Sequence, residues 1–330
     1  MEKVLIRSAA AKKETSILFH HFLPLLSALF CLAVDRILPM HDDIMVKNRG
    51  YFHIFMIISC AVLLALALYS MFSPGFAKKF RYRAAFIAVA FLLLNLYNLV
   101  TEKLLLLPQL YFPFPDKILN VFIGEHRVLL KCLLHSTRLQ FIGLAFGVVS
   151  GFLTGLLIGW SKKAHYWINP LVKLMGPIPS TAWIPITLVA FPTTFGASVF
   201  LVALSVWFPV TVQTSSGIQN AEKAYFEVAS TLGASTRYQI AHVAVPAALP
   251  SIFLGLFSGV CSSFITLMTA EMLGVKYGIG WYVNWQREIM SYANVYAGLI
   301  IVALFCYLFI TLLFKFRSRW LAWQKGVIQW

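Results

Sequence analysis

The chain has 330 residues, 60% of them hydrophobic and only 12% charged, with a mean hydropathy of +0.79. That composition excludes an ordinary soluble globular domain and makes lipid the solvent for most of the chain. Lys and Arg outnumber Asp and Glu by 27 to 12. The basic residues flank apolar runs, so they read as topology signals and not as a nucleic-acid surface.

A backbone crossing hydrocarbon must satisfy its own N–H and C=O groups, and these runs are too long and too unalternating for barrel strands. The expectation is therefore an all-α integral membrane protein. In chain order, the apolar runs predict spans near residues 17–38, 52–72, 84–107, 134–160, 168–191, 197–218, 250–273 and 293–314, a polytopic bundle of about eight transmembrane helices. Lys3, Arg7, Lys12 and Lys13 precede the first run as they would in a signal peptide. Asp35-Arg36 follows it in place of a small-residue cleavage site, so it reads as an uncleaved span.

Tight basic clusters at Lys78, Lys79, Arg81 and Arg83, at Lys162-Lys163, and at Lys315, Arg317, Arg319 and Lys325 predict an N-in/C-in orientation. The charges expected on the opposite side, among them Arg36, Lys103 and Lys117, read as loop charges offset by Asp35, Asp116, Glu125 and others. Between the third and fourth spans, LPQLYFPFP gives way to DKILNVFIGEHRVLLKCL, whose apolar positions recur at helical spacing. This predicts a short amphipathic helix on the outer membrane surface, within a segment 111–133.

The five cysteines, Cys31, Cys60, Cys132, Cys261 and Cys306, have no CxxC or metal-ligand spacing and are expected as small buried side chains. His20, His21, His53, Asn95 and Asn98 have no carboxylate at ligand spacing within a span, so no metal site is predicted. The sequence holds no paired carboxylates for acid–base work, no Ser/His/Asp constellation and no G-x-x-x-x-G-K-[ST] phosphate loop. The chain is expected to be no enzyme and to carry no cofactor of its own.

One loop, 219–249, is long and mildly polar. NAEKAYFEVASTLGASTRYQIAHVAVPAALP reads as a helix over Ala224–Leu232, a break at Gly233, and a second helix from the N-cap Ser235 to Val245, stopped by Pro246. Such a knuckle, with Ala229, Ser230, Gly233 and Ala234 small, would let a partner's groove approach the backbone closely. A solvated inter-span loop is the plain alternative.

These residues resemble the cytoplasmic signature of the binding-protein-dependent ABC importer permeases, which runs E-A-A, three residues, G, nine residues, I-x-L-P. Glu227-Val228-Ala229, Gly233, Val243 and Val245-Pro246 fall on its positions, with Val replacing Ala, Ile and Leu. From about Pro115 to Trp323 the chain is similar to the nitrate/sulfonate/taurine/bicarbonate branch. Ser136, Arg138 and Gly143 open a glycine-rich span, GPIPSTAWIP begins the next, and Ala270-Glu271-Met272-Leu273-Gly274 with Gly278-Ile279-Gly280 follows the seventh.

The resemblance implies a permease core at 134–318 carrying the coupling loop, a three-span N-terminal extension at 1–110 that the branch does not explain, and a cytoplasmic tail at 319–330. It implies a multi-pass protein of the bacterial inner membrane whose partners are cytoplasmic ATPase subunits that bind the ATP, a periplasmic solute-binding protein, and a second permease copy, the homodimer being simplest. ATPase coupling would then fall on Glu227, Ala229, Ser230, Leu232, Gly233, Ala234 and Pro246. Membrane lipid is its surroundings, and nucleic acid is no partner.

For the solute path, Ser258, Ser262, Thr266 and Thr269 share one face of the seventh span, and Ser180 and Thr181 lie among the prolines of the fifth. Helix packing is the alternative for these hydroxyls. Arg138 and Glu271, near the outer ends of core spans, are expected at similar depth, pairing in one conformation as part of an outer gate; the alternatives are snorkelling for Arg138 and a local backbone hydrogen bond for Glu271. An ion-coupled secondary transporter is the rival function, but it would require midplane carboxylates in the spans.

Overall fold

The computed structural model describes residues 21–38, 50–272 and 275–321. The start of the first expected span, His20, the four basic residues before it, Leu273-Gly274 and Lys325 lie outside the described residues. Within them every regular element is helical, and six helices are long and apolar enough to cross a membrane. The chain divides into two compact units, Met1–His126 with Ile289–Ala297, and Arg127–Glu288 with Gly298–Trp330.

In the first unit, α1 (residues 21–37), α2 (Tyr51–Phe72) and α3 (Pro74–Asn98, prolonged by a π turn, Leu99–Lys103) are followed by the short α4 (Pro115–Gly124). Ala28 and Cys31 of α1 pack with Phe52, Met56, Cys60 and Leu63 of α2, and Ile87, Phe91 and Leu94 of α3 cover them. Ser73 and Pro74 separate α2 from α3, because proline suits the first turn of a helix but would break an interior. The N-terminus of α2 is closed from a distance: Asp116 of α4 accepts from the N–H of Phe52 at 2.6 Å and of Gly50 at 3.4 Å.

Of the charges expected in loops here, Arg36 and Lys117 are exposed, but Lys103 and Asp35 are drawn into a cluster with the buried Glu102. Lys103 Nζ lies 3.1 Å from Asp35 and 3.2 Å from Glu102. Asp35 also contacts His53 at 3.1 Å and accepts a longer hydrogen bond from Asn98. The π turn brings this about, since its wider i→i+5 spacing seats Glu102 and Lys103 at the end of α3 facing α1 and α2. A carboxylate in an apolar bundle persists only with a partner, and one ammonium here serves two. Lys103→Met is therefore expected to lower stability by about 3–5 kcal/mol, the usual cost of breaking a buried pair. Thermal unfolding in detergent reads this, and an unchanged midpoint would mean that the cluster adds nothing.

In the second unit, α5 (His126–Trp160) is followed by α6 (Lys162–Met175), a 3₁₀ turn (Ser180–Trp183), α7 (Ile184–Ala190) and α8 (Thr194–Gln219). Next come α9 (Lys223–Thr231), α10 (Thr236–Gln239), a π turn (Ile240–Ala244), α11 (Val245–Met272) and α12 (Ile279–Glu288); α13 (Tyr292–Trp320) closes the chain. Three expectations are corrected. The span expected at 168–191 is broken into α6, the 3₁₀ turn and α7. Pro177 and Pro179 lack N–H groups just past the end of α6, and Pro185 sits in the first turn of α7 where a donor is not needed, so no single ladder runs through.

The amphipathic run DKILNVFIGEHRVLLKCL splits at Gly124–Glu125, and its second half forms the first turns of the 35-residue α5. Finally, Pro246 does not stop the second knuckle helix, because Thr236–Met272 is continuous. The π turn just before the proline shifts the hydrogen-bond register there and accommodates the missing donor.

The helix α8 is the centre of this unit. Five glycines of α5, at positions 143, 147, 151, 155 and 159, repeat every four residues and lie against it. A Cβ on Gly147 would stand 2.6 Å from the Ala203 carbonyl oxygen, one on Gly151 2.8 Å from that of Trp207, and one on Gly155 2.6 Å from that of Thr211. The seam brings the backbones close enough for Thr211 to donate to the Gly151 carbonyl at 3.2 Å. Gly255 and Gly259 of α11 also approach the α8 backbone, less tightly, with a Cβ 3.0 Å from the Pro209 carbonyl oxygen and 3.4 Å from that of Val206, and Gly217 of α8 meets Ala248 and Ser251. Leu139, Val202, Val260, Phe264, Leu267 and Phe309 form the adjoining apolar core.

Candidate functional site

The broken stretch between α6 and α7 borders a cavity of about 380 Å³. Its polar wall is Ser180 and Thr181 from the 3₁₀ turn, Ser205 from α8, and Ser262 and Thr266 from α11. Trp183, Trp207 and Phe208 supply aromatic walls, and among the described residues no charged one lines it. The Ser180 and Thr266 hydroxyls are 2.7 Å apart, and Thr266 also donates to the Ser262 carbonyl at 3.1 Å. Four of the six expected path residues thus share one cavity. Ser258 and Thr269 do not line it, and the Thr269 hydroxyl returns to the Ile265 carbonyl on its own helix.

A second polar cavity, of about 300 Å³, lies further along α6 and α8. His165, Asn169 and Lys173 of α6 face Ser215, Ser216 and Gln219 of α8 across it. One His165 ring nitrogen contacts the Asn169 amide and the other the Gln219 amide, each at 3.2 Å. Sequence reasoning missed this site. Its readable signal was the i, i+4 recurrence of polar residues on α6, where an unbroken apolar span had been expected.

Arg138 and Glu271 do not pair. Glu271 is fully buried and accepts from the Gly280 N–H at 2.8 Å, while Ser136 accepts from the Ile279 N–H at 2.9 Å. Both close the N-terminus of α12, whose first amides have no partner in their own helix. The glycines around it are there for space: a Cβ on Gly278 would stand 2.5 Å from the Glu271 carboxyl carbon, and one on Gly280 2.6 Å from the Met268 carbonyl oxygen. Arg138 instead lies over the Phe195 ring, 5.2 Å from its centroid. In this conformation Glu271 thus takes the alternative of a local backbone hydrogen bond, and Arg138 a cation–π contact. Gln140 was missed too; it is buried and donates to Ser263, tying α5 to α11.

The knuckle forms as the spacing predicts at its corner. Gly233 sits at φ +79°, in the left-handed region, with open space around it, so backbone conformation alone calls for glycine there. The N–H of Gly233 donates to Ser230, and that of Ala234 to Ala229, both at 2.9 Å. Ser235 caps α10 by accepting from the Tyr238 N–H at 3.4 Å. Gln239, not singled out in the sequence, braces the corner by donating to the Ser230 hydroxyl at 3.1 Å and the Ala234 carbonyl at 3.0 Å.

Ala229 is buried, and Phe226 packs on Trp160 at 5.9 Å, which anchors α9 to the end of α5. Glu227, Ser230 and Gly233 are exposed, and Ala234 and Pro246 are half-buried. Tyr225, Val228 and Leu232 form an apolar stripe that faces outward, 55%, 60% and 81% exposed.

Residues 147–322, just over half of the chain, match the family described as binding-protein-dependent transport system inner membrane component. The chain is 31% identical over 162 residues to SsuC of Bacillus subtilis, a permease named for aliphatic sulfonates transport, covering 49% of this chain and 59% of that protein. It is 30% identical over 164 residues to the nitrate import permease protein NrtB of Leptolyngbya laminosa, covering 48% and 59%. With the taurine transport system permease protein TauC of Escherichia coli it shares 25% identity over 191 residues, 58% and 69% of the two chains. The match thus spans about three fifths of the length of the first two relatives. In structure, the chain is similar to one from an inward-facing MetNI methionine ABC transporter, with a TM-score of 0.50, 16% identity, and coverage of 58% of this chain and 96% of that one.

Proposed function

Because the chain belongs to the family of binding-protein-dependent transport system inner membrane components, we propose that it is the permease subunit of an ATP-binding-cassette importer in the bacterial inner membrane. Two copies form the solute route, each lining it with the hydroxyl-rich cavity of the 3₁₀ turn, α8 and α11. A periplasmic solute-binding protein delivers a small solute of the nitrate, sulfonate, taurine or bicarbonate kind, as the names of the relatives suggest. Cytoplasmic ATPase subunits dock on the knuckle, bind the ATP and do the chemistry. This subunit has no catalytic part.

The observation that carries this reading is the knuckle itself. Its apolar stripe of Tyr225, Val228 and Leu232 is exposed at a corner rigidly set by Gly233 and Gln239. A soluble loop has no reason to expose three large apolar side chains on one face of a nine-residue helix and its C-cap. A partner's groove gives them one. The lever is stiff because α10, the π turn and α11 are continuous: a push on α9 and α10 is delivered to the helix that carries Ser262 and Thr266.

Affinity purification in mild detergent tests the reading. An ATP-hydrolysing subunit is expected to accompany the wild-type protein and to be lost with Glu227→Arg, which places a cation on the exposed face, while the permease itself still elutes as a folded species. If wild type brings down no ATPase, the importer reading fails, and uptake that collapses with the proton gradient would then favour the ion-coupled carrier.

A further inference from the structure

The two polar cavities of the second unit lie on the same pair of helical segments, one turn apart. The first is bordered by Met175 and Gly176 at the end of α6 and by Phe208 and Pro209 of α8. The second begins at Val172 and Lys173 of α6 and at Thr211 and Val212 of α8. Between these two sets of lining residues, Gly176 at the end of α6 meets Phe208 of α8. The Phe208 ring presses on the Gly176 backbone so closely that a Cβ there would stand 2.1 Å from its Cε2 and 2.3 Å from its Cζ.

Gly176 has ordinary helical angles, so its backbone conformation does not call for glycine. The ring does, because any side chain at 176 would occupy its seat. Val172, almost fully buried, backs the contact on the α6 side.

We infer that Phe208, seated on Gly176, is the inner gate of the solute route, dividing one half-path into a hydroxyl-lined upper chamber and an amide- and imidazole-lined lower chamber. The inference rests on the importer reading for its direction. Its geometry stands apart from it. Both chambers are polar enough to hold water, whereas an aromatic ring on bare backbone leaves no donor or acceptor for a water chain to continue through.

Opening requires only that the ring leave its seat or that α6 and α8 separate by about a ring's thickness, and the lower chamber is built to transmit such a movement. Gln219 and Asn220, in the last turn before the knuckle, hydrogen-bond Ser215 and Ser216 of α8, and Gln219 contacts His165 of α6. A displaced knuckle therefore acts on both helices that hold the seal. Pro209, next to Phe208 inside α8, removes one backbone donor at that level and makes the helix easiest to bend there.

Thiol labelling from the cytoplasmic face tests this. In inside-out vesicles of a variant lacking the five native cysteines, single cysteines are placed in the lower chamber (Ser216→Cys) and the upper chamber (Ser205→Cys), and labelled with a membrane-impermeant methanethiosulfonate. With Phe208 present, the upper cysteine should react at least about tenfold more slowly than the lower one, and Phe208→Ala should remove that difference, a factor equivalent to ~1.4 kcal/mol in the opening equilibrium. Gly176→Ala, which pushes the ring aside without removing it, should give an intermediate rate and serves if Phe208→Ala does not fold. The lower cysteine should label at the same rate throughout, which separates an opened gate from general loosening. Equal rates for both cysteines with Phe208 in place, or an upper rate unmoved by both variants, would overturn the gate. If labelling behaves as expected while no companion ATPase supports uptake, the importer reading fails and the seal stands.

Discussion

Gly151→Leu is expected to leave no folded protein in the membrane, and Gly151→Ala is expected to lower stability by about 1–3 kcal/mol, the usual cost of overpacking. At this position a Cβ alone would come within 2.8 Å of the Trp207 carbonyl oxygen and 3.0 Å of the Val210 Cβ. Neither neighbour is the far end of a flexible side chain. The backbone of α8 has to retreat, and the Thr211 hydrogen bond to the Gly151 carbonyl is lost with it. In lipid no hydrophobic drive compensates, since tails are as apolar as leucine, and what holds α5 to α8 is close packing and interhelical hydrogen bonding. Gly159, at the end of the seam, faces the side chain of Ile218, so Gly159→Ala should be milder. Yield and thermal unfolding of purified variants read the series; a Gly151→Leu protein as stable as wild type would show that the seam does not hold the unit together.

Gly233→Val should abolish ATP-driven uptake in proteoliposomes reconstituted with the partner subunits while the membrane-embedded helices keep wild-type stability. Gly233→Asn should retain most of the activity. The site has open space, so bulk is not the obstacle. A non-glycine residue at φ +79° costs roughly 1–2 kcal/mol, more when β-branched and less for asparagine. Losing that conformation straightens the corner, releases the Gln239 brace and turns Leu232 away from its exposed seat. Docking should weaken about tenfold for each ~1.4 kcal/mol so lost. Equal uptake by the valine and asparagine variants would mean that the left-handed corner is not what the ATPase grips.

How much of this was legible in the sequence follows from how local each signal is. The helical class, most span positions, the left-handed Gly233 and the Ser235 cap depend on residues within a turn of one another, and the structure has them where the sequence places them. Ser262 and Thr266 were singled out on helical periodicity and Ser180 and Thr181 as hydroxyls among prolines, in segments more than 80 residues apart, and only packing brings Ser180 onto Thr266. For Glu271 the sequence left an ion pair and a local backbone hydrogen bond open, because spacing along the chain carries no depth, and the structure holds the second. It ended against the amides of α12, nine residues on, and not against Arg138. Gln239 and the cavity around His165 were passed over because polar residues near a loop look like solvated surface until the facing helix is known.

Composition and periodicity by themselves settled that this chain lives in lipid as helices, because burying a backbone in hydrocarbon leaves that one solution for runs of this length and pattern. The fixed spacing from Glu227 to Pro246 carried the resemblance to the family, which the match over residues 147–322 shows; a rigid corner tolerates apolar exchanges but not a change in the number of residues between its parts. Only the tertiary structure decided which charges are buried, which glycines make room for a neighbour and which satisfy their own backbone, and where the polar faces of α6, α8 and α11 enclose space. Those outcomes depend on the distance between helices remote in sequence, which is set by the summed packing of every side chain between them.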